Sequence, residues 1–106
     1  MKFRFTARLA GDLRGFSRDE LELFRKVIRD RFHPAAVARA ADPAFGWPKS
    51  LRIKRVQGVE GIWEMTWSFS GPDGRATFEW IEIDGEPAIF WRRVGAHEIF
   101  GEPSGD

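Results

Sequence analysis

The sequence has no cysteine, no tyrosine, only two histidines and no long uninterrupted apolar run. Without cysteine there is neither a disulfide framework nor a thiolate zinc site, and histidines as far apart as His33 and His97 do not suggest a metal centre. No metal and no cofactor are expected. The opening segment MKFRFTARLAGDL interleaves charge with its apolar residues, and nothing later approaches the ~18 apolar residues of a membrane span. No membrane association is therefore expected, and a cytoplasmic location is the default. Seventeen basic residues face sixteen acidic ones, a net charge of +1, so the chain lacks the strong basic excess that marks many nucleic-acid-binding domains. Charge distribution has to speak instead. Basic residues gather at Arg52, Lys54 and Arg55 and at Arg92-Arg93, while acid concentrates at Asp19, Glu20 and Glu22 and between Glu79 and Glu86.

What is present is aromatic. Ten phenylalanines and five tryptophans stand in 106 residues, and each ring buries roughly 150–250 Å² when fully inside. They are read first as packing for one domain spanning residues 1–106.

Period-two patterning places a strand over Lys2 to Arg8, with Phe3 and Phe5 half-buried, and Gly11-Asp12 through Gly15 ends it. Ser17 then caps a helix, with Glu20 completing a capping box and Phe16 stapling onto Leu21. Leu21, Phe24, Val27, Ile28 and Phe32 continue at three-and-four spacing, an apolar stripe that faces a core. Pro34 interrupts this helix, His33 serves its C-terminal dipole, and the alanine-rich stretch Ala35 to Ala41 forms a second helix or a last bent turn. From Leu51 the period changes to two. Leu51 to Val56 reads as a basic strand, Gly58 to Gly61 as a turn, and Ile62 to Phe69 as a strand with Trp63, Met65, Trp67 and Phe69 on one face and Glu64, Thr66 and Ser68 on the other. Ser70 to Gly74 is a strong turn signal. Arg75 to Ile83 follows, with a bulge expected near Ile81 and Ile83 where the alternation breaks. Asp84-Gly85 turns the chain into Pro87 to Val94, apolar on both faces as a central strand would be.

This order predicts an α+β fold: an N-terminal strand, one or two helices, then a three- to four-stranded antiparallel sheet packed on the helical layer. Trp63, Trp67 and Trp80 meet the helices as core. The opposite face presents Glu64, Thr66, Arg75 and Thr77 to solvent or to a partner.

A strand opening Gly74-Arg75, a final hydrophobic strand and the terminal run Gly95-Ala96-His97-Glu98-Ile99-Phe100 make the chain resemble the RelE/ParE superfamily of small bacterial toxins from type II toxin-antitoxin systems. The resemblance spans roughly Phe3 to Phe100 in element order. RelE-like members dock in the ribosomal A site and cut messenger RNA by attack of a 2′-hydroxyl on the adjacent phosphate. It implies an antitoxin partner, the ribosome and mRNA as further partners, and no small-molecule ligand.

The resemblance assigns roles residue by residue. Arg75 matches an arginine that contacts the scissile phosphate, where a guanidinium stabilises charge building on the pentacoordinate centre. Its structural alternative is a cross-strand partner of Glu64 or Glu79. His97 matches a position after the last strand that carries a general acid in several members, and histidine suits that task because it titrates near neutrality. Its alternative is a surface or capping histidine. Glu64 falls where some members carry a glutamate base, although a strand glutamate is more often a charge partner. Thr66 is a weaker candidate for substrate hydrogen bonding. Arg52, Lys54 and Arg55 suit backbone phosphates, and they equally suit a guarded sheet edge. Arg92 and Arg93 point to opposite faces by alternation, so only one joins the site, and the sequence does not say which; Arg93 is carried as the RNA contact. Phe100 stands where many members have a tyrosine, which preserves stacking and removes any hydroxyl role. The lysine pair of some relatives is replaced by Glu64 and Thr66, so a glutamate–histidine mechanism is required.

Two other readings stay open. A ParE-like protein would poison DNA gyrase by binding it, with no hydrolysis of its own. A non-catalytic sheet-based interaction domain would use the same residues as a surface salt-bridge network.

Overall fold

The structure, a computed structural model, describes residues 1–67, 74–95, 99 and 102–105. The turn expected at Ser70 to Gly74 therefore lies outside the described residues except for Gly74, as do His97 and Phe100.

The first strand is shorter than its alternation suggests. β1 is Phe3–Phe5, and the chain enters helix α1, Ala7–Arg14, directly afterwards. The sequence reading ended the strand at Gly11-Asp12 and saw no helix here. Thr6 supplies the missing start signal, its hydroxyl accepting the Leu9 amide at 3.0 Å. Leu9, buried, and Leu13, packed against the core, stand four residues apart on one helix face. That packing outweighs the penalty of about 1 kcal/mol for Gly11 inside a helix.

Helix α2, Arg18–Val27, begins with the expected capping box. Ser17 Oγ accepts the Glu20 amide at 3.1 Å and Glu20 Oε1 accepts the Ser17 amide at 2.8 Å. Pro34 does not end the helix. The chain passes through a π-helical turn at Ile28–Phe32 and continues as α3, His33–Ala41. The His33 amide bonds back to the Ile28 carbonyl, five residues earlier. A proline inside a regular helix has no amide for the carbonyl four residues back and its ring collides with it; a widened turn relieves both problems. His33 is thus at a junction inside a helical run, not at a C-terminus.

A 3-10 turn at Lys49–Leu51 precedes the sheet. Arg52 then takes a left-handed backbone, φ 46°, so the expected basic strand shrinks to β2, Lys54–Arg55. β3 is Trp63–Trp67, β4 Gly74–Ile83 and β5 Glu86–Gly95. Asp84 and Gly85 both have positive φ, 53° and 79°, which is the tight hairpin that an Asp-Gly pair favours. The strand order is β1-β5-β4-β3-β2. β1 runs parallel to β5 and every other pairing is antiparallel. β5 thereby lies inside the sheet between β1 and β4, as its two-sided apolar pattern indicates.

The helices cover one sheet face, and that face holds the core. Phe24, Val27 and Phe32 meet Met65, Trp67, Ala76, Phe78, Ile89, Trp91 and Val94. Phe32 is the hub: its ring centroid lies 4.7 Å from Trp91, 5.1 Å from Phe78 and 5.6 Å from Trp47. All the described tryptophans pack in or against this core, with Trp63 and Trp80 partly buried at the margin. Among the described residues no helix is long and apolar enough to cross a membrane.

The bulge sits elsewhere than expected. Pairing steps from Thr77 opposite Arg93 to Phe78 opposite Trp91, which leaves Arg92 as the extra residue on β5. A bulge sets two residues of one strand against one of the other and breaks the alternation of faces. Arg92 and Arg93, expected on opposite faces, consequently reach the same segment, Glu102 to Ser104.

Candidate functional site

On the sheet face away from the core, Thr66 stands opposite Arg75 and Arg75 opposite Gly95. Arg75 Nη1 donates to Thr66 Oγ1 at 3.1 Å. The adjacent row crosses the sheet as Lys54, Glu64, Thr77 and Arg93, and Arg93 extends it to Asp12 of α1. Glu64 and Arg75 are diagonal neighbours, a relationship that puts their Cα atoms roughly 7–8 Å apart. The two residues are therefore brought together on one face, as the sequence predicts.

That face is not open. Glu64 is 7% exposed, Thr66 2% and Thr77 0%, where the sequence reading presented all three to solvent. Part of the cover is backbone of the segment 102–105. Thr77 Oγ1 donates to the Pro103 carbonyl at 2.6 Å, Arg93 Nη1 to the Glu102 carbonyl at 3.1 Å, and Arg92 Nε to the Ser104 carbonyl. Only Arg75 of this group is half-buried rather than buried.

The other candidates divide. Arg93, expected to contact RNA, is buried and clamped by Asp12: Nε donates to Oδ2 at 2.7 Å and Nη2 to Oδ1 at 3.0 Å. Arg92 pairs with Glu79 at 3.1 Å and lies over the Phe90 ring at 4.7 Å. Lys54 is exposed and sits 3.6 Å from the Glu64 carboxylate. Arg52 and Arg55 are exposed. Arg55 stands opposite Trp63 and stacks on it at 5.2 Å, so it lies on the helix-side face and does not, as expected, share the face of Lys54, Glu64 and Arg75. Among the described residues no group of three or more His, Asp or Glu side chains is placed to hold a metal ion.

Sequence reasoning missed two features. Asp12, read as part of a chain break, anchors the end of the cross-sheet row; the helix periodicity of Leu9 and Leu13 around it was the available signal. Phe3 and Phe5, read as half-buried, are 62% and 55% exposed, and their rings stack at 6.5 Å. They border a groove of about 410 Å³ between β1, α1 and α2, floored by Leu9, Phe24 and Trp91. Arg25, Arg29 and His33 line the same groove. Beside it, Asp30 accepts a hydrogen bond from Arg29, which holds its carboxyl below the ordinary aspartate range.

No protein-family model matches the sequence, and none of the curated proteins does. Solved structures do. The Escherichia coli toxin RelE, as an arginine-to-alanine double variant in the free state, is 15% identical with a TM-score of 0.52, over 96% of this chain and 92% of that one. The YoeB/ParE toxin from Agrobacterium tumefaciens is 14% identical with a TM-score of 0.55, over 92% of this chain and 99% of that one. The α+β fold described above is thus similar to the folds of these two toxins along nearly the whole length of the chain.

Proposed function

We propose that this chain is the toxin of a toxin-antitoxin pair, a ribosome-dependent mRNA endonuclease that cleaves by 2′-hydroxyl attack without a metal. The observation that carries this reading is the Arg75 guanidinium, half-buried on the helix-free sheet face and bonded to Thr66, with a carboxylate diagonal to it. A scissile phosphate beside Arg75 gains charge as it becomes pentacoordinate, and a guanidinium fixed in a low-dielectric site stabilises that charge more than the ground state. Thr66 orients the guanidinium. Glu64 is given the role of base toward the 2′-hydroxyl, and His97 that of acid for the leaving 5′-oxygen. Exposed Lys54, on the face of Glu64, draws the phosphate backbone to the edge strand together with Arg52 just before it, and Phe100 stacks on a base. Arg93 is a positioning residue, since its guanidinium is committed to Asp12.

The antitoxin is assigned to the groove beside β1 rather than to the sheet face. Exposed Phe3 and Phe5 offer apolar area there, and Arg25 gives the groove a positive charge. An amphipathic helix with acidic flanks matches both.

One observation favours a ParE-like reading instead: Glu64 is buried and ion-paired to Lys54, which suits a structural charge pair better than a base that must take up a substrate proton. Two assays on the same purified protein separate these readings. The endonuclease reading expects cuts in ribosome-bound message and no change in gyrase supercoiling. Inhibited supercoiling with intact message supports the ParE-like reading.

A further inference from the structure

We infer that the outer edge of β1 takes an added strand, an extended segment of a partner protein in which acidic and apolar side chains alternate. The inference rests on the toxin-antitoxin reading, under which this segment belongs to the antitoxin and runs beside the helix assigned to the groove.

β1 stands at the end of the strand order, and among the described residues no strand flanks its outer side. Its hydrogen bonds define which residues turn outward. The Lys2 carbonyl accepts the Ile89 amide at 3.3 Å and the Thr6 amide donates to the Trp91 carbonyl at 3.1 Å, so the even-numbered residues turn their backbone groups toward β5. Backbone direction alternates along a strand, and the N–H and C=O of Phe3 and of Phe5 therefore point to the edge. These are the groups that an added strand binds.

The side chains define the strand that fits. Phe3 and Phe5 stand beside Ile89 and Trp91 of the core face and border the groove, while Arg4 stands beside Phe90 on the opposite face and is exposed. An added strand alternates too, with one set of side chains over the phenylalanines and the other beside Arg4. Apolar residues suit the first set and carboxylates the second. Lys2, on the face of Arg4, is already engaged by Asp84, so Arg4 is the cation that meets the partner there, and Arg25 adds a positive charge on the groove side. Basic residues on an edge can also serve to keep it bare. An edge that stays bare, however, gains nothing from two exposed phenylalanine rings. A second copy of the chain fits less well, because antiparallel pairing through the outward groups of Phe3 and Phe5 sets Arg4 directly opposite Arg4, and like charges so placed repel. The chain enters α1 just after β1, so the edge is short and one extended segment covers it.

The test titrates the intact chain with the product of the neighbouring reading frame in a calorimeter, and two alterations separate strand addition from groove filling alone. N-methylation of the Phe3 amide keeps the ring and removes only an edge donor. It is installed by ligating a synthetic segment of residues 1–6 at Ala7 and desulfurising, which the absence of cysteine allows. Arg4→Glu reverses the charge on the face away from the groove. Each is expected to weaken binding about tenfold or more, and the Arg4→Glu loss should shrink as salt is raised. A helix lying in the groove with no strand beside it would feel neither change. Unaltered affinity in either form overturns the added strand and leaves the toxin-antitoxin reading standing. Absence of binding to the unaltered chain overturns that reading and the strand with it. A homodimer of the unaltered chain in sedimentation that N-methylation dissociates assigns the edge to a second copy and overturns the acidic partner. If either altered form loses its near-UV circular dichroism, hydrogen exchange on the unaltered chain decides: the partner should slow exchange of the Phe3 and Phe5 amides about tenfold or more, and unchanged exchange contradicts the inference.

Discussion

Asp12 on α1 and Arg93 on β5, 81 residues apart, form a two-bond ion pair, and the same carboxylate accepts the Val94 amide at 3.2 Å. β1 pairs with β5 only from Ile89 to Trp91. Beyond that point the edge of β5 would lack acceptors, and α1 lies alongside with Asp12 supplying one. Asp12→Ala leaves a buried guanidinium without its anion and a strand amide without its acceptor. The expected loss is about 3–5 kcal/mol in urea unfolding. Replacing both residues, Asp12→Ala with Arg93→Leu, should recover part of it. A loss below about 1 kcal/mol in the single variant contradicts the role given to this pair.

Phe32 contacts three other rings from the π-helical turn. Phe32→Ala is expected to cost about 3–5 kcal/mol, because the surrounding tryptophans are too rigid to close the cavity. Thermal or urea unfolding measures it. An unchanged midpoint would mean that the aromatic hub is not what joins the helices to the sheet.

Much of this fold is legible in the sequence where the signal is local. Ser17 and Glu20 announce α2, the alternation from Trp63 to Trp67 announces β3 and its core face, and Asp84-Gly85 announces the last hairpin. What is not legible depends on partners distant in sequence. Nothing local to Thr77 reveals that Pro103 covers it, so Glu64, Thr66 and Thr77 read as an open face. The slip between Thr77 and Phe78 is set by how β4 and β5 pack together, and it alone puts Arg92 beside Arg93. Pro34 misleads because its effect on a helix depends on whether the preceding turn can widen. The shared face of Glu64 and Arg75, by contrast, follows directly from strand alternation, while their diagonal register comes from how β3 and β4 pair.

Phe3 and Phe5 are exposed on a three-residue edge strand. Phe3→Ser and Phe5→Ser should change unfolding free energy by less than about 0.5 kcal/mol each. Each should weaken the antitoxin by roughly tenfold or more, the effect of removing one buried ring from an interface. Calorimetric titration with the product of the neighbouring reading frame checks this. Unaltered affinity in both variants would exclude the groove as the docking surface.

Arg75 carries the central claim. Primer extension on a message in a purified translation system compares the unaltered chain with Arg75→Ala at equal concentration. The variant should remain folded, losing about 1 kcal/mol with its bond to Thr66. The unaltered chain should produce cuts within ribosome-covered codons, and Arg75→Ala should cut about 10²–10³-fold more slowly, the usual consequence of removing one donor from a developing anion. Equal cleavage by both proteins, or none by the unaltered chain, would contradict the assignment of this face as an RNA-cutting site.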